Sequence, residues 1–146
     1  IRPGNLIFFD AEQASFGWCS HAQIAVAAAC PIVALHPERE TVILYGGAIH
    51  LSKDNWLQNG SLYYGLVALP TDTGWAEPVP GAYVAALSQE HGILHVPADQ
   101  FHQFQIGELV CILPAHSCLT AQALGRYLTL DGRWISMMPF GAAANP

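Results

Sequence analysis

A succession of short apolar segments separated by turn residues is the feature that most constrains the fold of this 146-residue chain. Runs rich in Val, Ile, Leu, Tyr and Phe alternate with stretches that contain Gly, Pro, Asn or Asp, a pattern typical of short β-strands. Strands do not alternate with long helical segments, so a doubly wound α/β domain is not expected. The predicted fold is mostly β, a β-barrel or sandwich of about seven to nine strands with little helix.

The predicted strands follow the chain in order and are bounded by turn residues. They lie within residues 2–10, 23–35, 41–45, 62–69, 83–88, 93–96, 107–113, 126–130 and 133–137. Residues 11–21, 55–61 and 70–81 are predicted to be loops, and residues 119–125 a helical turn. Pro31 is expected at an edge or a bulge of its strand, because it has no N–H to donate.

Glycines and aromatic residues give more specific expectations at a few positions. Gly46-Gly47 follows a predicted strand and allows either a close backbone approach or a positive φ. Asp131-Gly132 lies between two alternating segments and indicates a tight hairpin. Phe101 and Phe104 occur in a polar segment and are candidate lid or staple residues.

The composition predicts that part of the surface is covered by another domain or subunit. Charged residues make up 11% of the chain and hydrophobic residues 52%, whereas about 25% charged is usual for a soluble domain. A free-standing domain of this size would expose more charge to solvent.

Charge, hydropathy and cysteine content exclude some classes of function. The net charge is −6 with five Lys and Arg, so the clustered cations that bind nucleic acid are missing. No apolar stretch reaches the roughly 18 residues of a membrane span. The four cysteines, Cys19, Cys30, Cys111 and Cys118, have no close pairing and suggest reduced thiols in a cytoplasmic protein, although four cysteines allow three disulfide pairings.

The segment Pro114-Ala115-His116-Ser117-Cys118 is the strongest candidate for chemistry. Imidazole and thiolate are the ligands that zinc prefers. In an extended chain His116 and Cys118 point to the same side, because side chains alternate. Two protein ligands leave open positions on the ion, which suits catalysis. The alternative is a loop histidine beside a buried thiol.

Other polar residues have a structural interpretation beside the functional one. Glu90 and His91 are either a polar hairpin tip or an acid/base or supporting pair at the rim of the site. His50 is predicted to be a hydrogen-bonded structural histidine. Lys53 is the only lysine, and its polar neighbours, Asp54 among them, are expected to be solvated. A solvated lysine stays protonated, so Lys53 is not predicted to form a Schiff base.

Several motifs together, in this order, resemble a known family. They are Arg2-Pro3-Gly4-Asn5, Phe8-Phe9-Asp10, Cys30-Pro31-Ile32-Val33, Gly46-Gly47-Ala48, Leu51-Ser52-Lys53-Asp54, Glu90-His91-Gly92 and Pro114-Ala115-His116-Ser117-Cys118. The chain resembles the C-terminal domain of the D-serine dehydratase and D-threonine aldolase family, pyridoxal-phosphate enzymes with an alanine-racemase-like fold.

The resemblance implies a fragment of a larger enzyme. Residues 1–146 would form a single β domain, with residues 1–10 at the junction with an N-terminal α/β barrel that carries pyridoxal phosphate and its lysine. His116 and Cys118 match the metal pair of the family, and a cysteine in the second position resembles the zinc-dependent dehydratase branch. A homodimer is also implied, in which the β domain meets the partner's barrel.

The resemblance also implies a reaction. Pyridoxal phosphate would serve as the electron sink for a D-amino-acid substrate, and zinc or manganese on His116 and Cys118 would polarise the β-hydroxyl. Loss of water and ammonia is the expected outcome. Aldol cleavage, as in D-threonine aldolase, and racemisation are the alternatives, together with a non-enzymatic β domain that binds a small ligand or a partner. The fragment alone is expected to be inactive.

Overall fold

A computed structural model describes residues 4–136. The strands are β1 Ala28–His36, β2 Thr41–Tyr45, β3 Trp56–Gln58, β4 Ser61–Tyr63, β5 Gly65–Ala68, β6 Pro70–Thr71, β7 Gly74–Trp75, β8 Tyr83–Leu87, β9 His91–His95, β10 Leu109–Pro114, β11 Arg126–Leu128 and β12 Trp134–Ser136. The α-helices are α1 Ala11–Ser15, α2 Ala48–Leu51 and α3 Ser117–Leu124, and three short 3-10 helices are His21–Gln23, Pro37–Arg39 and Phe101–Gln103.

Six of these strands close into an antiparallel barrel in the order β1-β10-β5-β8-β9-β2. The remaining strands of residues 4–136 form three small hairpins, β3–β4, β6–β7 and β11–β12. The prediction of a mostly β fold is confirmed, and the structure selects the barrel over the sandwich. The predicted number of strands was too low, because it left out short strands such as β3, β6 and β7.

The barrel interior is filled by alternate residues of each strand. In β2, Val42 and Leu44 are fully buried while Tyr45 is exposed, which is the period of two that a strand with one apolar face requires. Phe104 is 3% exposed and belongs to the same core. It is therefore a packing residue, and the prediction that it forms a lid is wrong. Phe101 packs against this core and is partly buried.

Pro31 lies next to an irregularity, as predicted. It pairs with Leu109 at the end of the β1–β10 ladder, and the β1–β2 register shifts between Ile32 and Ala34. Because proline has no N–H, it interrupts the hydrogen bonds between strands least at the end of a strand pair or beside a bulge. The strand begins at Ala28 rather than at residue 23, since His21–Gln23 form a 3-10 turn.

Two predictions for residues 4–15 were wrong. The described part of residues 2–10 forms a turn rather than a buried strand, and Ile7 is 80% exposed. Residues 11–21 include helix α1, which begins because Asp10 Oδ1 accepts a hydrogen bond from Gln13 N at 2.8 Å. An aspartate at this position satisfies a free N–H of the first helical turn.

Three other predicted segments are divided into more strands in the structure. Residues 62–69 belong to two strands, β4 and β5, which are separated at Tyr64. The predicted loops 55–61 and 70–81 contain β3 and the hairpin β6–β7. These strands are only two or three residues long, so hydrophobic periodicity has too few positions to detect them.

Gly46-Gly47 allow a close backbone approach. A Cβ on Gly47 would lie 2.5 Å from His91 N, and one on Gly46 would collide with Cys30 Sγ. Neither glycine has a positive φ, so lack of space accounts for both. The β11–β12 hairpin is also confirmed, with Gly132 at φ +85°, although residues 129–133 make its connection longer than a two-residue turn. Residue 137 of the predicted strand lies outside the described residues.

All four cysteines are free thiols, and the barrel contains the most buried of them. Cys30 is 3% exposed. Burial, with a smaller effect of Cys111, raises the pKa of Cys30 from 9.0 to about 12. Burial also raises the pKa of Cys111. Within residues 4–136, no helix has the length and apolar character that crossing a membrane requires.

The pKa of Cys30 predicts a pH-dependent stability. Because the unfolded thiol ionises near pH 9 and the folded one near pH 12, the contribution of Cys30 is complete below pH 9 and is lost as the pH rises towards 12. By about pH 10.5 the loss should be roughly 2 kcal/mol. Urea unfolding at several pH values would measure it. Cys30→Ala should flatten this dependence more than Cys19→Ala, because burial also raises the pKa of Cys19 but Cys19 is less buried than Cys30. Equal curves for both variants would contradict the prediction.

Candidate functional site

His116 and Cys118 lie where the buried strand β10 passes into helix α3. His116 is the N-cap residue, with extended dihedrals of φ −134° and ψ 101°, and Cys118 is the second residue of the helix. The prediction that both residues belong to one extended segment is therefore wrong, because the helix begins at Ser117 and not near residue 119. The two side chains nevertheless lie near one neighbouring segment, residues 5–12, as their contacts below show.

The His116 ring is held by a carboxylate. His116 Nδ1 lies 2.9 Å from Asp54 Oδ2, and the side chains are 39% and 42% exposed respectively. A carboxylate is only an acceptor, so it favours a proton on the nearby Nδ1, and in the neutral ring Nε2 then keeps its lone pair. In residues 4–136, Nε2 makes no hydrogen bond to another side chain. From the sequence, Asp54 was expected only to be a solvated neighbour of Lys53, and Lys53 is indeed exposed.

The Cys118 thiol contacts the N-terminal segment. Cys118 Sγ donates to Asn5 Oδ1 at 3.3 Å. The Asn5 amide nitrogen in turn donates to the Asp10 carboxylate and to Gln13 Oε1, the latter at 3.2 Å. Burial raises the pKa of Cys118, and the Asp10 carboxylate raises it further. The thiol is therefore protonated at neutral pH unless a metal ion displaces the proton.

A third carboxylate, Glu12, also lies near His116. Burial raises the pKa of Glu12, Asp10 and Asp54 add to the rise, and His116 opposes it. Despite these acidic neighbours, residues 4–136 contain no group of three or more side chains arranged to hold a metal ion. The site therefore offers an imidazole and a thiol, a donor set that fits zinc with other positions left open.

Glu90 and His91 are not in contact with this pair. Gly46 N donates to the Glu90 carbonyl at 2.9 Å, and the His91 ring lies 6.0 Å from that of Tyr45. No hydrogen bond or ion pair joins them to His116 or Cys118 in the described chain. They form the hairpin tip between β8 and β9, and their supporting role at the site stays a prediction.

His50 is a structural histidine, as predicted. Its Nδ1 accepts a hydrogen bond from Gly47 N at 3.2 Å, and its ring packs edge-on against Tyr45 at 5.3 Å. This hydrogen bond caps the N-terminus of the short helix α2. The His50 side chain therefore has a structural role in these two local contacts.

Two buried hydroxyls fix helix α3 in place. Ser117 Oγ donates to the Phe9 carbonyl at 2.5 Å, and Thr120 Oγ1 donates to the Leu51 carbonyl at 3.2 Å. Both residues are fully buried. The sequence analysis missed them because each partner lies far away in the chain. The hydroxyls connect the helix to the N-terminal segment and to α2, the two segments that deliver Asn5 and Asp54.

Comparison with known proteins gives a family match. The family model described as "Putative serine dehydratase domain" matches residues 25–130. D-serine dehydratase of Dictyostelium discoideum is 30% identical over 134 residues, which is 90% of this chain and 33% of that protein. D-threo-3-hydroxyaspartate dehydratase of Delftia sp. is 26% identical over 139 residues, 90% of this chain and 36% of that protein. The chain spans about a third of the length of these relatives.

Solved structures share the fold. An alanine-racemase-like protein of Idiomarina loihiensis is 28% identical with a TM-score of 0.72, over 88% of this chain and 35% of that one. The Delftia dehydratase is 26% identical with a TM-score of 0.69, over the same shares of the two chains. It was also solved as a histidine-to-alanine variant and, at a position two residues later, as a cysteine-to-alanine variant in the metal-free form.

Ser117 provides a test of how α3 is anchored. Ser117→Ala leaves the Phe9 carbonyl without its partner in a buried place, and this should cost about 1–3 kcal/mol of the free energy of unfolding. Ser15→Ala is the matched control, because Ser15 Oγ also donates to a carbonyl, that of Glu12, but on the surface. It should cost less than about 0.5 kcal/mol. Urea unfolding measures both, and equal losses would show that the buried bond does not anchor the helix.

Proposed function

The chain belongs to the serine dehydratase domain family, and we propose that it is the C-terminal part of a dehydratase that acts on a β-hydroxy D-amino acid, most closely D-serine. The observation that carries the proposal is the family match over residues 25–130. The relatives named D-serine dehydratase and D-threo-3-hydroxyaspartate dehydratase support the substrate class. Both names describe amino acids of D configuration with a hydroxyl on Cβ.

His116 and Cys118 are the residues that would hold a metal ion. The spacing of the His-to-Ala and Cys-to-Ala variants in the Delftia dehydratase equals that of His116 and Cys118, and its cysteine variant was solved metal-free. In this chain the free lone pair of His116 Nε2 and the sulfur of Cys118 are the available donors. A thiolate ligand favours zinc over manganese, which prefers oxygen.

A metal ion and pyridoxal phosphate would supply part of the chemistry, and residues of this chain would supply the rest. When bound, the metal would polarise the substrate β-hydroxyl and pyridoxal phosphate would take up electron density. Cys118 must release its proton to become a ligand. Asp54 keeps the proton of His116 on Nδ1. The 39% exposure of His116 leaves one side of the site accessible to substrate.

Pyridoxal phosphate would be bound by a different part of the longer protein. The only lysine, Lys53, is exposed, so the Schiff-base lysine belongs to a domain outside this chain. Large apolar side chains are exposed at Ile7, Trp18 and Leu57, which supports a covering domain or subunit. We accordingly propose an N-terminal barrel, a homodimer and a cytoplasmic enzyme, with the 146-residue chain inactive by itself.

Metal content and activity of the full-length protein test the proposal. The wild type, purified without chelators, should contain zinc or manganese and release ammonia from D-serine or D-threo-3-hydroxyaspartate. His116→Ala and Cys118→Ala should lose the metal and at least about 100-fold in turnover, because a Lewis acid contributes several kcal/mol. Cys19→Ala, which also changes a half-buried thiol, should keep both.

Other outcomes would contradict the proposal in distinct ways. A metal-free wild type with full turnover would exclude the role of His116 and Cys118. Release of glycine from a β-hydroxy substrate would identify an aldolase, and exchange of configuration without release of ammonia would identify a racemase. A full-length protein without bound pyridoxal phosphate and without turnover would favour the non-enzymatic binding domain.

A further inference from the structure

We infer that Asp54 is a positioning residue for His116, holding the imidazole ring by Nδ1 so that Nε2 faces the metal ion. The inference rests on the proposed metal site. Asp54 Oδ2 and His116 Nδ1 are 2.9 Å apart, within ion-pair distance. Such a partner fixes both the tautomer and the orientation of a ligating histidine and raises its basicity.

The segment that carries Asp54 is anchored at both ends. Leu51, before it, is fully buried, and Trp56, after it, is 5% exposed. The Leu51 carbonyl accepts the hydrogen bond of Thr120, a residue of helix α3. Since α3 begins directly after His116, the helix that follows the histidine also holds the segment that carries the carboxylate. The distance between the two side chains is thereby set by the fold.

The backbone between these anchors is strained. Ser52 has φ +66° and ψ −169°, a region that is populated almost only by glycine and is unfavourable for other residues. Ser52 Oγ accepts a hydrogen bond from Asp54 N at 3.2 Å. The turn and this bond together direct the chain so that the Asp54 side chain reaches His116.

Stability alone does not explain this arrangement. Ion pairs between half-exposed side chains add little to stability because solvent screens them, and this small gain does not offset the unfavourable Ser52 conformation. Glu12, the other carboxylate whose charge acts on His116, forms no ion pair with the ring within residues 4–136. Asp54 is therefore the group that orients the ring.

Zinc affinity of the full-length protein tests the inference. After removal of metal with a chelator, the dissociation constant for Zn²⁺ is measured by competition with a chromophoric chelator. Asp54→Ala should weaken binding by about 10- to 100-fold. Asp54→Asn should weaken it less, because an amide oxygen can still accept from Nδ1. Glu77→Ala is the matched control, since it removes a carboxylate from a similar pair, with His21 at 3.2 Å, and it should leave affinity unchanged.

The Co²⁺-loaded proteins give a readout that a merely structural role would not change. The visible absorption bands report ligand geometry, and they should change in Asp54→Ala but not in Glu77→Ala. Zn²⁺ affinity and Co²⁺ bands equal to those of the wild type in Asp54→Ala would overturn the inference. Equal losses in the Ala and Asn variants, with equally lowered melting temperatures, would also overturn it. If the wild type binds no metal, or if His116→Ala binds it normally, the proposed metal site itself fails.

Discussion

The site depends on how firmly helix α3 is fixed to two other segments. Ser117 and Thr120 are fully buried, and each donates its hydroxyl hydrogen bond to a carbonyl from a distant part of the chain, at Phe9 and Leu51. A buried hydroxyl without a partner is costly, so these bonds allow few alternative positions for the helix. Through them the N-terminal segment brings Asn5 to Cys118, and the loop after α2 brings Asp54 to His116.

The barrel is the part of the structure that sequence reasoning predicts well. Strands such as β2, β9 and β10 bury alternate or continuous apolar residues in one core, and the sequence shows that pattern directly. Gly47 was also interpretable, because a glycine pair after a strand indicates a close backbone approach. Helix α1 and strand β3 were missed because they are short. Their formation depends on a cap at Asp10 and on tertiary packing of Trp56.

Of the candidate site, only the two donor residues could be predicted from the sequence. His116 and Cys118 were recognisable by residue type and spacing, but the assumed extended geometry was wrong because α3 begins between them. Their partners Asn5 and Asp54 lie more than sixty residues away in sequence. No local sequence pattern connects residues that lie so far apart in the chain. The motif Leu51-Ser52-Lys53-Asp54 contains the aspartate, but its sequence does not show that Asp54 reaches His116.

His116 and Cys118, the two donors of the proposed metal site, differ in how readily each could bind a metal ion. The Asp54 carboxylate lies beside His116 Nδ1 and so favours the tautomer with a lone pair on Nε2, whereas Asn5 accepts a hydrogen bond from Cys118 and so favours the thiol. The Asn5 amide cannot simply reverse, because its nitrogen donates to the buried Asp10 carboxylate. Binding at His116 and Cys118 would therefore release a proton from sulfur and break the contact with Asn5. Metal binding at the proposed site would thus also disturb the contact between the N-terminal segment and helix α3.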